Sequence, residues 1–471
     1  MHVIDHIDYR GDDIPHAARL LGRRIAVANG PAGPYLVRAN SVLVEAPDDD
    51  HLARLRAFAE GIGCGIRLGR RKEARTTNGH ATLVFEPRSF EAPDIPSGRR
   101  SASRDSGGGM SVPIDSGPRW SVQGIVDTGR ALVDGGFEPK PNHVYMCNAV
   151  STGSPGPYRP NPSGSASFAT SAMPAGGPFT VMDEIVLGDR RRPAVLVLDT
   201  GLNTDTDGST PCARHPMLRS DRLVLRDPWR TDPKGVVDDE DEPDDDPPSA
   251  EGAGIVDRAG GHGTFIAGIV HRLCPEADVH IEGVLSSFGD GDDDTVGQGI
   301  EHATRALGRP FDVIIMSLGC YTADGRPPPL ADTLAANVGP GTVVVASAGN
   351  DGSPRPQYPA ALEHVVAVGA LGPTGRAWFS NFGPWVDACA PGVDVLSTYL
   401  FHEEKGGDRR AYNGYATWSG TSFAAPKVGA AIARAMYTSL IPDDTARAAW
   451  DRLSSQERFR YPDLGTVFNI T

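Results

Sequence analysis

The sequence predicts a doubly wound α/β sheet, mostly parallel and with helices on both faces, preceded by a smaller α+β unit. Two observations carry this. The C-terminal two-thirds alternates short, almost uninterrupted apolar runs with stretches of helical periodicity, the pattern of parallel strands buried on both faces and their crossover helices. The N-terminal third orders its elements as strand, helix, strand, strand, helix, strand, the split βαβ arrangement. At 471 residues the chain is longer than one ordinary domain, which fits a large core with an appended unit. Its 56 Gly and 40 Pro imply long connecting loops.

In chain order, residues 1–36 read as an extension and 37–150 as the α+β unit. SVLVEA (41–46) is a strand, and Leu52, Leu55, Phe58, Ala59 and Ile62 recur at helical spacing. GIRLG (65–69) and HATLVFE (80–86) are strands, Ile125, Val126, Gly129, Leu132 and Val133 mark a second helix, and HVYMCNAV (143–150) closes the unit. Residues 97–118, SGRRSASRDSGGGMSVPIDSGP, interrupt it, and residues 151–177, rich in Gly, Pro and Ser, link it to the rest; both are too poor in large apolar groups to build a core. The second part spans 178–440, with 441–471 as a tail. AVLVLD (194–199), DVHIEGVL (278–285), DVIIMSLG (312–319), TVVVASAG (342–349) and HVVAVGA (364–370) are its strands, and helices are expected near 262–273, 295–308, 328–337 and 422–438.

Functional groups of such a sheet gather where strands end and helices begin, and this chain places chemistry at those junctions. Asp199 ends the strand AVLVLD. His262 opens a helix among glycines in GGHGT, which let backbone and ligand approach closely. Asn350 follows the strand VVVAS, and Ser422 opens a helix in SGTSFAAP, where first-turn N–H groups face developing negative charge. A serine hydroxyl is a weak nucleophile at neutral pH. His262 would take its proton, Asp199 would fix the imidazole tautomer, and the Asn350 amide with the Ser422 N–H would hold an oxyanion.

The blocks D-T-G, H-G-T, S-L-G, A-G-N and G-T-S-x-A-x-P stand in this order between about residues 190 and 440, and with them the chain resembles the subtilisin-like serine peptidases, the subtilases. The resemblance implies a serine endopeptidase acting on peptide or protein substrates through an acyl-enzyme. It also implies that Ser317, Leu318 and Gly319, with Ser347, Ala348 and Gly349, line the groove for the substrate backbone and the pocket before the scissile bond. No cofactor is required; calcium, a common stabiliser in the family, has no acidic loop of EF-hand spacing to which it can be assigned, so the metal-ligating residues remain unknown. The N-terminal order is similar to that of the family's inhibitory propeptides, which implies intramolecular inhibition; a recognition domain and a passive structural one are the alternatives. A catalytically silent peptide-binding pseudo-protease and a transpeptidase or macrocyclase are the alternatives for the whole chain.

Departures from the family pattern are visible. The interval from Asp199 to His262 is roughly twice that of subtilisin, implying an insertion of about thirty residues, and its acidic part at about 232–250 includes DDEDEPDDD (238–246). Phe423 stands where the family has Met after the nucleophile, and Lys427 where it has His after the proline. A second acidic stretch, GDGDDDTVGQG (289–299), lies at an edge of the expected cleft. Its Asp290, Asp292, Asp293 and Asp294, with Asp351, would favour basic residues upstream of the cleaved bond. Aspartic peptidases also use D-T-G turns, and a second one stands at Asp127-Thr128-Gly129, but within a helical pattern rather than after a strand.

Composition bounds the partners. A net charge of −15 gives no general attraction to nucleic acid or to anionic membranes, and no run of eighteen apolar residues spans a bilayer. The six cysteines are scattered without a CxxC pair and read as reduced, mostly buried thiols. The first residues, MHVIDHIDYR, contain no apolar core of a secretory leader, so a cytoplasmic location is expected.

Overall fold

The structure, a computed structural model, describes residues 25–45, 49–62, 65–67, 80–84, 132–133, 135–137, 139–147, 161–162, 181–202, 215, 217–218, 221–225, 259–286, 289–403, 411–441, 444–455 and 460–470. The expected helix around Ile125, the 97–118 linker, the Asp127 turn and both ends of the acidic insertion lie outside the described residues.

The N-terminal unit comprises β1 (Ile25–Gly30), β2 (Gly33–Glu45), α1 (Asp49–Ile62), β3 (Gly65–Arg67), β4 (His80–Val84) and β5 (Pro139–Cys147). Its strands run in the order β5-β2-β4-β3, every pair antiparallel, and β1 adds a hairpin on β2. Leu52 and Leu55 of α1 are buried, and Phe58 meets the Phe137 ring at 5.3 Å.

After β6 (Asn161–Pro162) come β7 (Ala194–Asp199), β8 (Leu223–Leu225), α2 (His262–Leu273), β9 (Asp278–Gly283), β10 (Asp290–Asp292) and α3 (Asp293–Leu307). Then follow β11 (Val313–Met316), β12 (Leu318–Gly319), α4 (Leu330–Asn337), β13 (Val343–Ser347), β14 (Val365–Gly372), β15 (Gly375–Arg376) and β16 (Ala388–Pro391). The chain closes with β17 (Val395–Glu403), β18 (Ala411–Trp418), α5 (Thr421–Tyr437), α6 (Ala446–Ser455), β19 (Arg460–Tyr461) and β20 (Gly465–Val467). The main sheet runs β8-β9-β7-β11-β13-β14-β16-β20-β19, parallel from β8 to β20.

Because successive strand residues point to opposite faces, each central strand feeds two apolar layers. Val195, Val197, Val313, Ile315, Val343 and Val345 join the layer of α2 and α5. Ala194, Leu196, Leu198, Ile314, Met316, Val344 and Ala346 join that of α3 and α4. Burying such a strand on both faces is what its unbroken apolar run is for. Strand order reverses direction around β7, with β9 on one side and β11 on the other, so the crevice at a topological switch point opens at Asp199.

Two features depart from the expectation. β17 and β18 pair antiparallel, and their strands alternate too irregularly to stand out in sequence, with a register shift between Thr398 and Phe401. The stretch taken as a tail supplies α6, whose Trp450 stacks on Phe468, and β20, which pairs with β16. Cys147, Cys274, Cys320 and Cys389 are buried thiols outside any disulfide among the described residues, and burial pushes the Cys389 thiol up to about 12. Among the described residues no helix is long and apolar enough to cross a membrane.

Candidate active site

At the C-terminal edge of the main sheet Asp199 meets His262, and Asn350 meets Thr421 next to Ser422; no hydrogen bond joins His262 to Ser422, whose hydroxyl turns to Ser317. Asp199 is the last residue of β7 and is fully buried; its Oδ1 accepts from the Thr200 N–H at 2.8 Å and from the His262 Nδ1 at 2.7 Å. An ionised carboxylate only accepts, so this contact places the proton on Nδ1 and leaves the Nε2 lone pair outward. Nε2 is buried and has no hydrogen-bond partner. Around the ring stand Trp418, edge-on at 5.3 Å, and Phe423, tilted at 5.3 Å. The Phe that replaces the family's Met is therefore a wall of the imidazole pocket.

Glycines set the spacing between α2 and β7. Gly261, just before His262, has φ 75, and a methyl there would meet the Tyr399 ring at 2.6 Å. Gly263 lies so close to the chain after Asp199 that its Cβ would stand 2.1 Å from the Gly201 carbonyl oxygen. The Gly263 N–H donates to Thr200 Oγ1 at 2.9 Å, tying helix start to strand end a second time.

Ser422 sits in the first turn of α5, fully buried. Its hydroxyl donates to the Ser317 carbonyl at 3.1 Å, and the Ser317 hydroxyl donates back to the Ser422 carbonyl at 2.9 Å. Asn350 Oδ1 accepts from both the backbone N–H and the hydroxyl of Thr421, at 3.0 and 2.9 Å. That pair fixes the amide's orientation, so Nδ2, buried and without a partner, faces the other way. Thr421, next to the serine in the G-T-S block, is thus the residue that orients the Asn350 amide.

The residues expected to line the groove divide into two groups. Ser317 touches Ser422 as above, and Leu318 and Gly319 form β12, which pairs antiparallel with β5 of the N-terminal unit as Leu318 with Cys147 and Gly319 with Met146. Ser347 ends β13, the Ala348 carbonyl accepts from Asn381 Nδ2 at 2.9 Å, and the Gly349 N–H donates to Thr421 Oγ1 at 3.2 Å. A methyl on Gly319 or Gly349 would press on Gln357 Oε1, at 2.4 and 2.6 Å.

On its other side β5 pairs with β10, as Met146 with Asp290, Tyr145 with Gly291 and Val144 with Asp292. The segment 144–147 thus lies as a strand between the cleft edges β10 and β12, and Cys147 donates its N–H to the Gly289 carbonyl at 2.8 Å. Arg38 of β2 reaches the rim, with Nη1 2.9 Å from Asp290 and Nε 2.8 Å from Asp292. Arg355 holds the β1–β2 turn by donating to the Pro34 carbonyl at 2.7 Å. Asp294 accepts from Gln298, Asp351 accepts from the Tyr321 hydroxyl, and Asp292 caps α3 through Thr295. Asp290 and Asp292 are engaged by Arg38, and among the described residues no group of three or more His, Cys, Asp or Glu could hold a metal ion.

A model of the subtilase family matches residues 190–450. Subtilisin DY of Bacillus licheniformis is 37% identical over 209 residues, covering 41% of this chain and 69% of its own. Minor extracellular protease Epr of Bacillus subtilis (strain 168) is 36% identical over 218 residues, 44% of this chain but only 30% of Epr. Intracellular serine protease of Paenibacillus polymyxa is 34% identical over 254 residues, 51% of this chain and 65% of that protein. The cytoplasmic location expected from the first residues is corrected here: it conflicts with the likeness to a protease that is extracellular by name. Within a set that also holds a relative named intracellular, the opening residues have no power to place this chain.

Proposed function

The chain belongs to the subtilase family, and from that premise we propose that it is an endopeptidase cleaving peptide bonds through an acyl-enzyme on Ser422. The observation that carries the reading is the pair of buried, partnerless nitrogens, His262 Nε2 and Asn350 Nδ2, beside a serine in the first turn of a helix. Burying such groups unpaired is costly, and an acyl-transfer site is where they are used. His262, its tautomer set by Asp199, takes the Ser422 proton as the hydroxyl attacks the carbonyl and returns it to the leaving amine. Asn350 Nδ2 and the Ser422 N–H hold the oxyanion, and water then releases the acyl group.

The placement of β5 between β10 and β12 supports intramolecular inhibition by the N-terminal unit, which occupies the cleft as a substrate strand would. The Arg38 pairing supports a preference for basic residues upstream of the bond, since Asp290 and Asp292 already hold a guanidinium. Library profiling without enrichment of Lys or Arg at any upstream position would remove that preference.

Labelling with a fluorophosphonate probe tests the core of the proposal. Wild type should label and Ser422→Ala should not. A wild type that stays unlabelled, with its fold intact by circular dichroism, would favour the silent peptide-binding reading instead.

A further inference from the structure

We infer that Asp293 is a specificity-determining residue, whose carboxylate at the end of the Tyr145 pocket selects substrates with tyrosine over phenylalanine at the fourth position upstream of the cleaved bond. The inference rests on the peptidase reading above.

The register supplies the position. Cys147 stands opposite Leu318, the next residue of that cleft edge is Ser317, and the Ser317 carbonyl accepts from the Ser422 hydroxyl. A substrate strand in the register of β5 presents to Ser317 the residue three places after the one in the Tyr145 pocket. Counting back from the bond, that pocket holds the fourth residue.

The pocket is apolar except where the phenol meets the Asp293 carboxylate and the Cys320 thiol. Tyr145 is fully buried and belongs to the same cluster as Val284, Val296, Leu318 and Leu330. Its hydroxyl donates to Asp293 Oδ1 at 2.8 Å. Asp293 Oδ2 receives the His143 N–H at 2.8 Å and lies 3.0 Å from His143 Nδ1. Among the described residues of the larger body the carboxylate accepts only the Leu330 N–H, at 3.3 Å. Most of its hydrogen bonds therefore come from the strand in the cleft, and a substrate that replaces β5 must supply them again. Any residue brings the backbone N–H; a tyrosine alone among aromatic side chains of that shape brings the hydroxyl. Burial and the Asp293 charge push the Tyr145 phenol well above its ordinary value, so it stays a donor.

The neighbouring carboxylates do not share this role. Asp290 and Asp292 face Arg38 from β2, and Asp294 faces Gln298 on its own helix. Phenylalanine in the pocket would leave Asp293 buried and short of a donor, and hydrogen bonds to a charged group are the ones whose loss is felt most.

The test uses the full chain and two internally quenched peptides that copy residues 143–150 with serine for the cysteine, one with tyrosine and one with phenylalanine in place of the Tyr145 equivalent. Because both compete for the same fraction of open clefts, the ratio of their kcat/KM values is independent of how much enzyme the N-terminal unit blocks. The tyrosine peptide should be cut about tenfold more efficiently. In Asp293→Asn, which keeps the shape and removes the charge, the ratio should fall at least threefold, whatever happens to the rate common to both peptides. Equal cleavage of both peptides by wild type, or the same ratio in Asp293→Asn, overturns the inference and leaves the peptidase reading standing. Absence of cleavage together with absence of fluorophosphonate labelling overturns both.

Discussion

In the ten-stranded sheet each central strand is buried on both faces by its own body, whereas the N-terminal sheet finishes one edge on β10 and β12 of its neighbour. The larger body meets its functional residues with covalent neighbours and close backbone packing, as at Asp199, Thr200 and Gly263. The smaller one is fastened by what can be exchanged: main-chain pairing along β5, the Arg38 ion pairs, and Arg355 at the β1–β2 turn. Under the function proposed above, chemistry belongs to the larger body and its control to the smaller.

Removing the imidazole attacks the first half of that contrast most severely. His262→Ala should lower turnover by about 10⁶, the magnitude known for subtilisin and carried over here; a loss under tenfold, measured as peptide kcat, would mean the proton passes elsewhere. Next in size, Asn350→Ala should cost about 10²–10³ in kcat with little change in KM, again by analogy with subtilisin. The second half is probed by Arg38→Ala. It removes the ion pairs to Asp290 and Asp292 and should weaken docking by about 2 kcal/mol, raising the full chain's initial rate on a small peptide roughly tenfold or more. An unchanged rate would show that strand pairing alone holds the unit.

The smallest effect concerns α5 itself. Lys427 is buried, and burial with Arg272 nearby pushes its ammonium down to about 8. Between about 8 and the ordinary lysine value near 10.4 the unfolded chain therefore binds the extra proton, so this group's contribution to stability rises with pH across that window. Lys427→Met removes the term. Its gain in denaturant midpoint over wild type should shrink from about pH 7.5 to about pH 10; a gain that is constant with pH would mean Lys427 titrates normally.

Much of this was legible in the residues. A strand buried on both faces must be apolar throughout, so β7, β9, β11, β13 and β14 announce themselves, and α2 and α5 begin within a residue of where their glycine-flanked motifs place them. The β17–β18 pair was hidden because its burial depends on α2, against which Ser397 and Thr398 donate hydroxyls to Phe265 and Thr264 carbonyls; polar residues that bond inward do not look like core. The acidic stretch was visible as charge, but not its division of labour, because Arg38 and Tyr145 meet it from more than a hundred residues away. Thr421 was overlooked for a simpler reason: its role is to aim another side chain, and nothing in a threonine says so.

Gly263 sets how closely the start of α2 approaches the end of β7. Between its α-carbon and the Gly201 carbonyl there is no room for a single methyl, and His262 and Asp199 stand one and two residues from that gap. Adding that methyl would lever the imidazole off its carboxylate without altering any reacting atom, so the tolerance of the whole apparatus is narrower than the smallest side chain that could be offered to it.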